Sequence, residues 1–414
     1  MSQTLSIHKS LNPVPKGLTR SVVQGSPDGA WDFQGQDTQC STHAIHTYVA
    51  AMIPALARKL IDTYVPTGGS VLDPFCGGGA VLVEAIRSGR EAVGRDINNL
   101  AVLVSKAKTT YIEGERISRV GAQVLEQARS YNGPPMRFTK SEYVEFWFKD
   151  YMLLPLTALK ASIDAIESPT LRILFRVLFS TTVRNVSLTY RNEVRLRRKS
   201  AAEQERFNPD VFAEFANQVR LAVQRVPQLP VSAQAAVEKE DSRHLRFSSE
   251  TLDAVICSPP YGDERNGVNY TQFAKNMLYW LGYSQQELRD SKGLSLGWGK
   301  AERLVPPSAT LLNALETMQD NPIAVREAIA FYADYYDALK QLARVVRRRV
   351  IIVIGSRVLH RTILNNAQIT AELMDAIGAS LEVTHFRRLP SKRLPKMREF
   401  GAAIDQEAIL VFKK

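Results

Sequence analysis

Apolar positions follow two patterns along the chain, short runs that end at aspartate or glycine and longer stretches with helical spacing. Helical spacing between 53 and 64 predicts a helix, and an apolar run at 70–73 predicts a strand. A glycine turn, a helix over 80–88 and a strand over 91–95 follow in that order. Strand, helix and strand in this order form a βαβ unit, so we expect a parallel sheet with a right-handed crossover.

The middle of the chain has a different pattern. Apolar residues at helical spacing dominate 112–238, which we interpret as a helical insertion between two strands of the sheet. Strands and helices then alternate again, with strands expected at 252–258, 350–355, 381–388 and 407–414 and helices at 331–346 and 367–379. The sequence therefore predicts an α/β, Rossmann-like fold with a mostly parallel sheet.

The charge balance changes the expectation about partners. The 414 residues include 53 Lys and Arg against 42 Asp and Glu, a net charge of +11, whereas 45% apolar content is ordinary for a globular protein. A basic chain of this kind favours a polyanionic partner. Nucleic acid is the first candidate, and an anionic membrane surface is the second.

Cysteine usage and the N-terminus indicate the compartment. The three cysteines, Cys40, Cys76 and Cys257, lie far apart and odd in number, which argues against a disulfide framework and a structural zinc site. The first residues lack the apolar core of a signal peptide, and no apolar run approaches the roughly 20 residues that span a bilayer. We expect a cytoplasmic protein.

The first candidate site is the turn DPFCGGG, from Asp73 to Gly79, at the end of the first strand of the βαβ unit. Asp96 ends the next strand, where a carboxylate can accept hydrogen bonds from both hydroxyls of a ribose. The glycine spacing differs from that of a dinucleotide site, so an adenosyl ligand without pyrophosphate fits better. An ordinary βαβ turn with a solvated aspartate is the alternative.

The second candidate site is SPPY, from Ser258 to Tyr261, directly after an apolar strand. Two prolines stiffen this turn and leave its carbonyl groups free to accept hydrogen bonds. Ser258 Oγ and the Pro259 carbonyl suit the NH₂ of a base, and the Tyr261 ring suits stacking on a base removed from its duplex. An ordinary proline turn is the alternative, and Cys257 is interpreted as buried core rather than as a nucleophile.

These residues resemble a known family. The runs VLDPFCGGGAVLVEAIRSGREAVGRDINNLAV and DAVICSPPYGDERNGVNYTQFAKNMLYWLGY are similar to those of the S-adenosylmethionine-dependent DNA amino-methyltransferases, which make N4-methylcytosine or N6-methyladenine. The preceding THAIHTYVAAMIPALARKLI resembles the upstream cofactor segment of that family. The glycine turn reads GGG where GSG or GTG is commoner.

Residues 1–40 are rich in Ser, Gln, Gly and Pro without clear periodicity, which predicts an irregular N-terminal arm, with a partly disordered tail as the alternative. Beside the helical insertion at 112–238, a candidate DNA-recognition region, the resemblance implies the cofactor half of a methyltransferase domain at 41–111 and its catalytic half at 239–414. It implies a set of residues that bind S-adenosylmethionine: Tyr48, Asp73, Pro74, Phe75, Gly77, Gly79, Asp96, Ile97, Asp241 and Ser242. It also implies a set that holds the target base: Ser258, Pro259, Pro260 and Tyr261.

Two basic clusters are candidates for contacts with DNA phosphates. Their members are Arg184, Arg191, Arg195, Arg197, Arg198 and Lys199 in the insertion, and Arg387, Arg388, Lys392, Arg393, Lys396 and Arg398 near the C-terminus. Solvated charge is the alternative for either cluster. We expect double-stranded DNA as the substrate, no metal or membrane contact, and a possible cognate restriction endonuclease.

The predicted activity is site-specific transfer of a methyl group from S-adenosylmethionine to the exocyclic amine of a flipped base. Serine rather than aspartate at the start of the catalytic turn favours cytosine N4 slightly over adenine N6. A tRNA guanine-N2 methyltransferase is the third possibility. Such enzymes normally carry a separate RNA-binding domain before the methyltransferase domain, whereas only about 40 irregular residues precede the upstream segment here. A non-catalytic DNA-binding subunit with the same fold is the fourth.

Overall fold

A computed structural model describes residues 23–139, 142–190, 193, 196–262, 269–299, 303–389 and 405–414. Its strands are β1 Ser70–Asp73, β2 Glu91–Asp96, β3 Ala236–Lys239, β4 Leu252–Cys257, β5 Val346–Gly355, β6 Arg357–Leu359, β7 Thr362–Leu364, β8 Ser380–Arg388 and β9 Gln406–Lys413. Its α-helices are α1 Pro54–Tyr64, α2 Ala80–Arg87, α3 Asn99–Lys108, α4 Gly114–Arg129, α5 Asp150–Asp164, α6 Pro169–Val186, α7 Ala201–Arg206, α8 Val211–Arg225, α9 Tyr270–Trp280, α10 Gln285–Gly293, α11 Ala309–Thr317, α12 Pro322–Val345 and α13 Asn366–Ala376.

One seven-stranded sheet runs through the molecule in the order β3-β2-β1-β4-β5-β9-β8. Strands β3, β2, β1, β4 and β5 are parallel, whereas β9 is antiparallel to both β5 and β8. Every residue of β1 and β4 is buried, as expected for central strands of a parallel sheet with both faces covered. The prediction of an α/β fold with a mostly parallel sheet is confirmed.

The order of the strands also locates a crevice. The chain moves outward from β1 through β2 to β3, and it then returns to the other side of β1 with β4 and β5. Beyond the carboxyl ends of β1 and β4 the sheet therefore has a switch point, which is where open α/β sheets bind their ligands.

The helices between α3 and β3 pack together beside the sheet. Buried residues of α4, α5, α6 and α8 share one hydrophobic core with α3 and α9. The predicted insertion at 112–238 contains these helices, but its last residues differ from the prediction because β3 begins at Ala236. This strand was missed because only Val237 of its four residues is buried.

Other elements also differ from the prediction. Helices α9, α10 and α11 lie between β4 and α12, where the sequence pattern predicts a long loop. Helix α12 begins at Pro322 rather than 331, because the Asn321 side chain accepts hydrogen bonds from the first free N–H groups of the helix. The short hairpin formed by β6 and β7 was not predicted. The helix α13 and the closing strands β8 and β9 lie where the apolar pattern placed them.

The N-terminal arm has an irregular backbone over 23–40, and its residues 1–22 lie outside the described part of the chain. Trp31 is buried and lies beside the His385 ring, with 4.5 Å between the ring centroids. The arm therefore packs on the outer strand β8. Within the described residues, none of the helices has both the length and the apolar character that a bilayer-crossing segment needs.

Candidate active site

A cleft opens beyond the carboxyl ends of β1, β2, β3 and β4. Nine of the ten predicted cofactor residues line it: Tyr48, Asp73, Pro74, Phe75, Gly77, Asp96, Ile97, Asp241 and Ser242. Ser258 and Pro260 of the predicted catalytic turn line the same cleft. The structure thus brings two motifs that are about 180 residues apart in the sequence to one cavity.

Gly79, the tenth residue, lies behind the cleft wall. It caps the N-terminus of α2 with a left-handed backbone at φ 74°, and a Cβ there would lie 2.9 Å from Ser105 Oγ. Gly77 is also left-handed, at φ 47°. Glycine suits both positions because other residues adopt this conformation at a cost.

Gly78 explains why the turn reads GGG. A Cβ at this position would lie 2.8 Å from the Cβ of Tyr48, closer than real side chains pack. Tyr48 follows the 3₁₀ helix Ser41–Ile45 and lines the cleft. The bare glycine therefore lets the upstream segment close over the turn.

Two carboxyl groups, the buried Asp73 and the half-buried Asp96, end adjacent strands at the floor of the cleft. Asp96 Oδ2 accepts a hydrogen bond from Gly77 N at 2.9 Å, and its Oδ1 accepts one from Asn98 N at 2.8 Å. Asp73 Oδ1 accepts one from Phe75 N at 3.1 Å. Burial raises the pKa of Asp73 to about 8 and the pKa of Asp96 to about 6. A positive charge beside these carboxyl groups would favour their ionised forms.

Asp241 and Ser242 follow β3 at the side of the cleft. The Arg243 guanidinium donates hydrogen bonds to the Asp241 carboxylate, from Nε to Oδ1 at 3.0 Å and from Nη2 to Oδ2 at 2.6 Å. Arg243 also pairs with the buried Asp334 at 2.9 Å. Arg243 thus fixes the carboxylate of Asp241 beside the cavity.

The SPPY turn follows β4 and is tied to three other elements. The Tyr261 hydroxyl donates to Glu407 Oε1 at 2.7 Å and lies 3.2 Å from Ser258 Oγ. Asn366 Nδ2 of α13 donates to the Tyr261 carbonyl at 3.1 Å, and Arg357 of β6 donates to the carbonyl of Gly262. These contacts hold the turn from both sides.

Sequence reasoning did not identify these supporting residues, because nothing in their local patterns marks them. Two aromatic residues of α9, Tyr270 and Trp280, follow the SPPY turn in the chain. Tyr270 lines the cleft and stacks with Tyr48 at 6.4 Å between ring centroids, whereas Trp280 is fully buried in the helical core. Tyr270 is therefore the aromatic residue of this pair that faces the site.

The histidines of the upstream segment are buried. His43 Nε2 lies 2.9 Å from Glu84 Oε1, and Arg58 and Arg87 contact the same carboxylate. Lys108 donates to the carbonyl of His46 at 2.7 Å, and burial lowers the pKa of its ammonium to about 7. These contacts anchor the segment that carries Tyr48.

The predicted DNA contacts differ in their surroundings. Arg197 and Arg388 are exposed, although Arg197 pairs with Glu193. Arg198 lies over the Phe146 ring, and Lys199 donates to the Thr189 carbonyl. The other predicted contacts fall outside the described residues, namely Arg191, Arg195, Lys392 and Arg393, with Lys396 and Arg398 of the second cluster.

Two arginines of the clusters point inward, which differs from the expectation of a phosphate contact. The Arg184 guanidinium lies 4.3 Å from the Phe273 ring centroid and donates to the Glu193 carbonyl at 2.7 Å. Arg387 is buried and pairs with Glu407 at 3.3 Å. Sequence position alone did not show these orientations, because a charge run carries no information on which side chains face the core.

Known proteins resemble this chain at two levels. A family model described as DNA methylase matches residues 16–107. The Type II methyltransferase M.MvaI of Kocuria varians is 29% identical over 92% of this chain and 93% of the relative. The Type II methyltransferase M.MjaII of Methanocaldococcus jannaschii is 24% identical over 22% of this chain and 17% of that relative. A TehB-like SAM-dependent methyltransferase structure from Corynebacterium glutamicum shares 10% identity over 86% of this chain and 87% of its own, with a TM-score of 0.31.

The family match, the relative of similar length and the motifs in the cleft together support a DNA amino-methyltransferase, an S-adenosylmethionine-dependent enzyme. The resemblance to the DNA amino-methyltransferases, which the sequence motifs indicate, is confirmed.

Proposed function

We propose that this enzyme transfers the methyl group of S-adenosylmethionine to the exocyclic amine of a base flipped out of double-stranded DNA, with cytosine N4 as the preferred acceptor. The observation that carries the proposal is the single cleft lined both by Asp73 and Asp96 on the glycine side and by Ser258 and Pro260 on the SPPY side. A methyl donor and its acceptor must meet in one cavity for direct transfer.

The cleft offers groups suited to each part of the cofactor. Asp96, at the end of β2, is the acceptor for the ribose hydroxyls, and Asp241 lies at the side assigned to the adenine. Asp73 and Tyr48 line the part assigned to the methionine, where Gly77 and Gly78 let Tyr48 pack against the glycine turn. Bound S-adenosylmethionine supplies an activated methyl group on a positive sulfonium, and such a charge favours the ionised forms of the Asp73 and Asp96 carboxyl groups.

The SPPY turn suits an amine. Ser258 Oγ and the Pro259 carbonyl are acceptors for the two N–H groups, and the Tyr261 ring provides a face for the base. Holding both N–H groups away from the plane of the ring disfavours delocalisation of the nitrogen lone pair. The chain then aligns the nitrogen with the methyl carbon, and Ser258, a carbonyl or water takes the amine proton.

Cytosine N4 is preferred because the catalytic turn begins with a serine, Ser258, rather than with an aspartate. Adenine N6 remains the second acceptor, since its amine has nearly the same geometry. The Type II name of the relative from Kocuria varians adds the expectation of a sequence-specific methylase with a cognate restriction endonuclease. The exposed Arg197 and Arg388, together with the basic residues outside the described part, are assigned to DNA phosphates.

Labelled S-adenosylmethionine tests the substrate class. The protein is incubated with duplex DNA from a methylation-deficient host or with bulk tRNA, and acid-insoluble label is counted. We expect label in DNA. Label confined to tRNA would favour a guanine-N2 tRNA methyltransferase, and label in neither would favour a non-catalytic DNA-binding subunit.

A further inference from the structure

A chain of polar contacts leads from the cleft to the last two strands of the sheet. Ser258 Oγ lies 3.2 Å from the Tyr261 hydroxyl, which donates to Glu407 Oε1 at 2.7 Å. Glu407 Oε2 lies 3.3 Å from Arg387 Nη1. Ser258 is the residue of these four that lines the cleft, so the Tyr261 hydroxyl, Glu407 and Arg387 act on the amine through Ser258.

The register of the sheet places Glu407 at this position. Glu407 of β9 stands opposite Arg387 of β8 and opposite Gly355 of β5. Directly opposite residues of antiparallel strands bring their side chains close together, which accounts for the pair with Arg387. Gly355 ends β5 without a side chain, so the Glu407 carboxylate reaches across β5 toward the turn that follows β4.

The chemistry of the four groups fixes the direction of the hydrogen bonds. Glu407 forms an ion pair with the buried Arg387, and a carboxylate in an ion pair accepts hydrogen bonds and cannot donate one. The Tyr261 O–H must therefore point to Glu407. The Tyr261 oxygen is then left as an acceptor, and the Ser258 O–H donates to it.

This direction decides what Ser258 offers to the cleft. A serine hydroxyl can donate or accept, so by itself it would hold a carbonyl group as readily as an amine. With its proton committed to Tyr261, Ser258 presents only lone pairs. A carboxylate at the same position would need no such partner, because it is already an acceptor.

We propose that Glu407 is a positioning residue that makes Ser258 an obligatory hydrogen-bond acceptor for the exocyclic amine and thereby selects an amine over a carbonyl. The inference rests on the proposed function, since it concerns the amine held by the SPPY turn. If Ser258 is no longer held as an acceptor, the amine is aligned less well for the reaction, whereas binding of the rest of the DNA changes less.

Three variants test this role: Glu407→Gln, Tyr261→Phe and the two combined. Transfer of tritiated methyl groups to plasmid DNA from a methylation-deficient host gives kcat and the KM for DNA. We expect each single variant to lose roughly ten- to hundredfold in kcat with KM within about threefold, the range for a hydrogen bond to a charged group. The double variant should lose no more than Tyr261→Phe alone, because Glu407 acts through the tyrosine hydroxyl.

Glu382→Gln is the matched control. Glu382 is an exposed glutamate of the neighbouring strand β8 that pairs with Arg349 at 2.7 Å, outside the cleft. The control should keep the wild-type kcat. If Glu407→Gln lowers the melting temperature sharply, Tyr261→Phe provides the same test, because it removes the hydroxyl and leaves the pair of Glu407 with Arg387 intact.

Wild-type kcat in Tyr261→Phe, or independent losses that multiply in the double variant, would overturn the role of Glu407 while leaving methylation itself established. A wild-type protein that labels no DNA would instead contradict the proposed function on which the role rests. The two failures are therefore distinguished by the wild-type reaction alone.

Discussion

Asp96 accepts a hydrogen bond from the backbone N–H of Gly77 at 2.9 Å, and this contact ties the end of β2 to the glycine turn that follows β1. One carboxylate thus shapes the turn and faces the cleft at the same time. Both functions follow from the order of β1 and β2 in the sheet, which puts their carboxyl ends side by side.

Asp96→Ala should therefore weaken cofactor binding and loosen the turn together. The half-buried N–H of Gly77 loses its acceptor, which costs about 0.5 to 1.5 kcal/mol of folding free energy. We expect at least a tenfold higher Kd for S-adenosylhomocysteine by calorimetry and a lower melting temperature. A variant with unchanged affinity would show that this carboxylate does not contact the ribose.

Gly78→Ser introduces a side chain that the commoner GSG turn carries, yet here it should be harmful. The new Cβ would meet the Cβ of Tyr48 at 2.8 Å, so the upstream segment must shift. We expect about 1 to 3 kcal/mol of lost stability, typical of overpacking, and weaker cofactor binding. Gly293→Ser is the control, because a Cβ at Gly293 meets no atom within 4 Å. Equal melting temperatures for the two variants would contradict the tight packing.

Asp73→Asn should stabilise the protein at alkaline pH while it impairs cofactor binding. Burial raises the pKa of Asp73 to about 8, so the folded state disfavours the ionised carboxyl that the unfolded chain carries from about pH 4 upward. The contribution of this group to stability therefore falls as pH rises from about 4 to about 8. Asparagine removes the titration and keeps an acceptor for Phe75 N.

Melting temperatures of wild type and Asp73→Asn between pH 5 and pH 8.5 measure this effect. The advantage of the variant should grow with pH and level off above about pH 8. A difference that is independent of pH would show that Asp73 is already ionised in the folded protein.

Arg388→Ala should weaken DNA binding in a way that depends on salt. Arg388 is exposed on β8, and the loss of one phosphate contact lowers the slope of log K against log salt by about 0.9. Fluorescence anisotropy with a duplex at several salt concentrations measures the slope. Arg220→Ala is the control, an exposed arginine of α8 that hydrogen-bonds Asn217. Identical slopes for the two variants would show that Arg388 does not contact a DNA phosphate.

The sequence was informative where the fold depends on local spacing. The βαβ unit and both candidate turns are contiguous in the chain, so the positions of Asp73, Asp96 and Ser258 at strand ends were predictable. Tyr48 was placed by its resemblance to an upstream segment rather than by any local pattern.

Contacts that depend on strand pairing were not predictable. Glu407 is 146 residues from Tyr261, and only the antiparallel register of β9 brings the two together. The inward orientation of Arg184 and Arg387 is likewise a property of packing, because a run of basic residues looks the same in sequence whether it faces solvent or an aromatic ring. Strand β3 was missed because its exposed edge position gives it no apolar run.

Mass spectrometry of nucleosides tests the central claim most directly. Genomic DNA is isolated from methylation-deficient cells that express the wild-type protein or the Ser258→Ala variant, and it is digested to nucleosides. We predict N4-methylcytosine in the wild-type sample and none with Ser258→Ala. DNA that contains no base methylated at an exocyclic amine, from cells that hold the folded wild-type protein, would contradict the account.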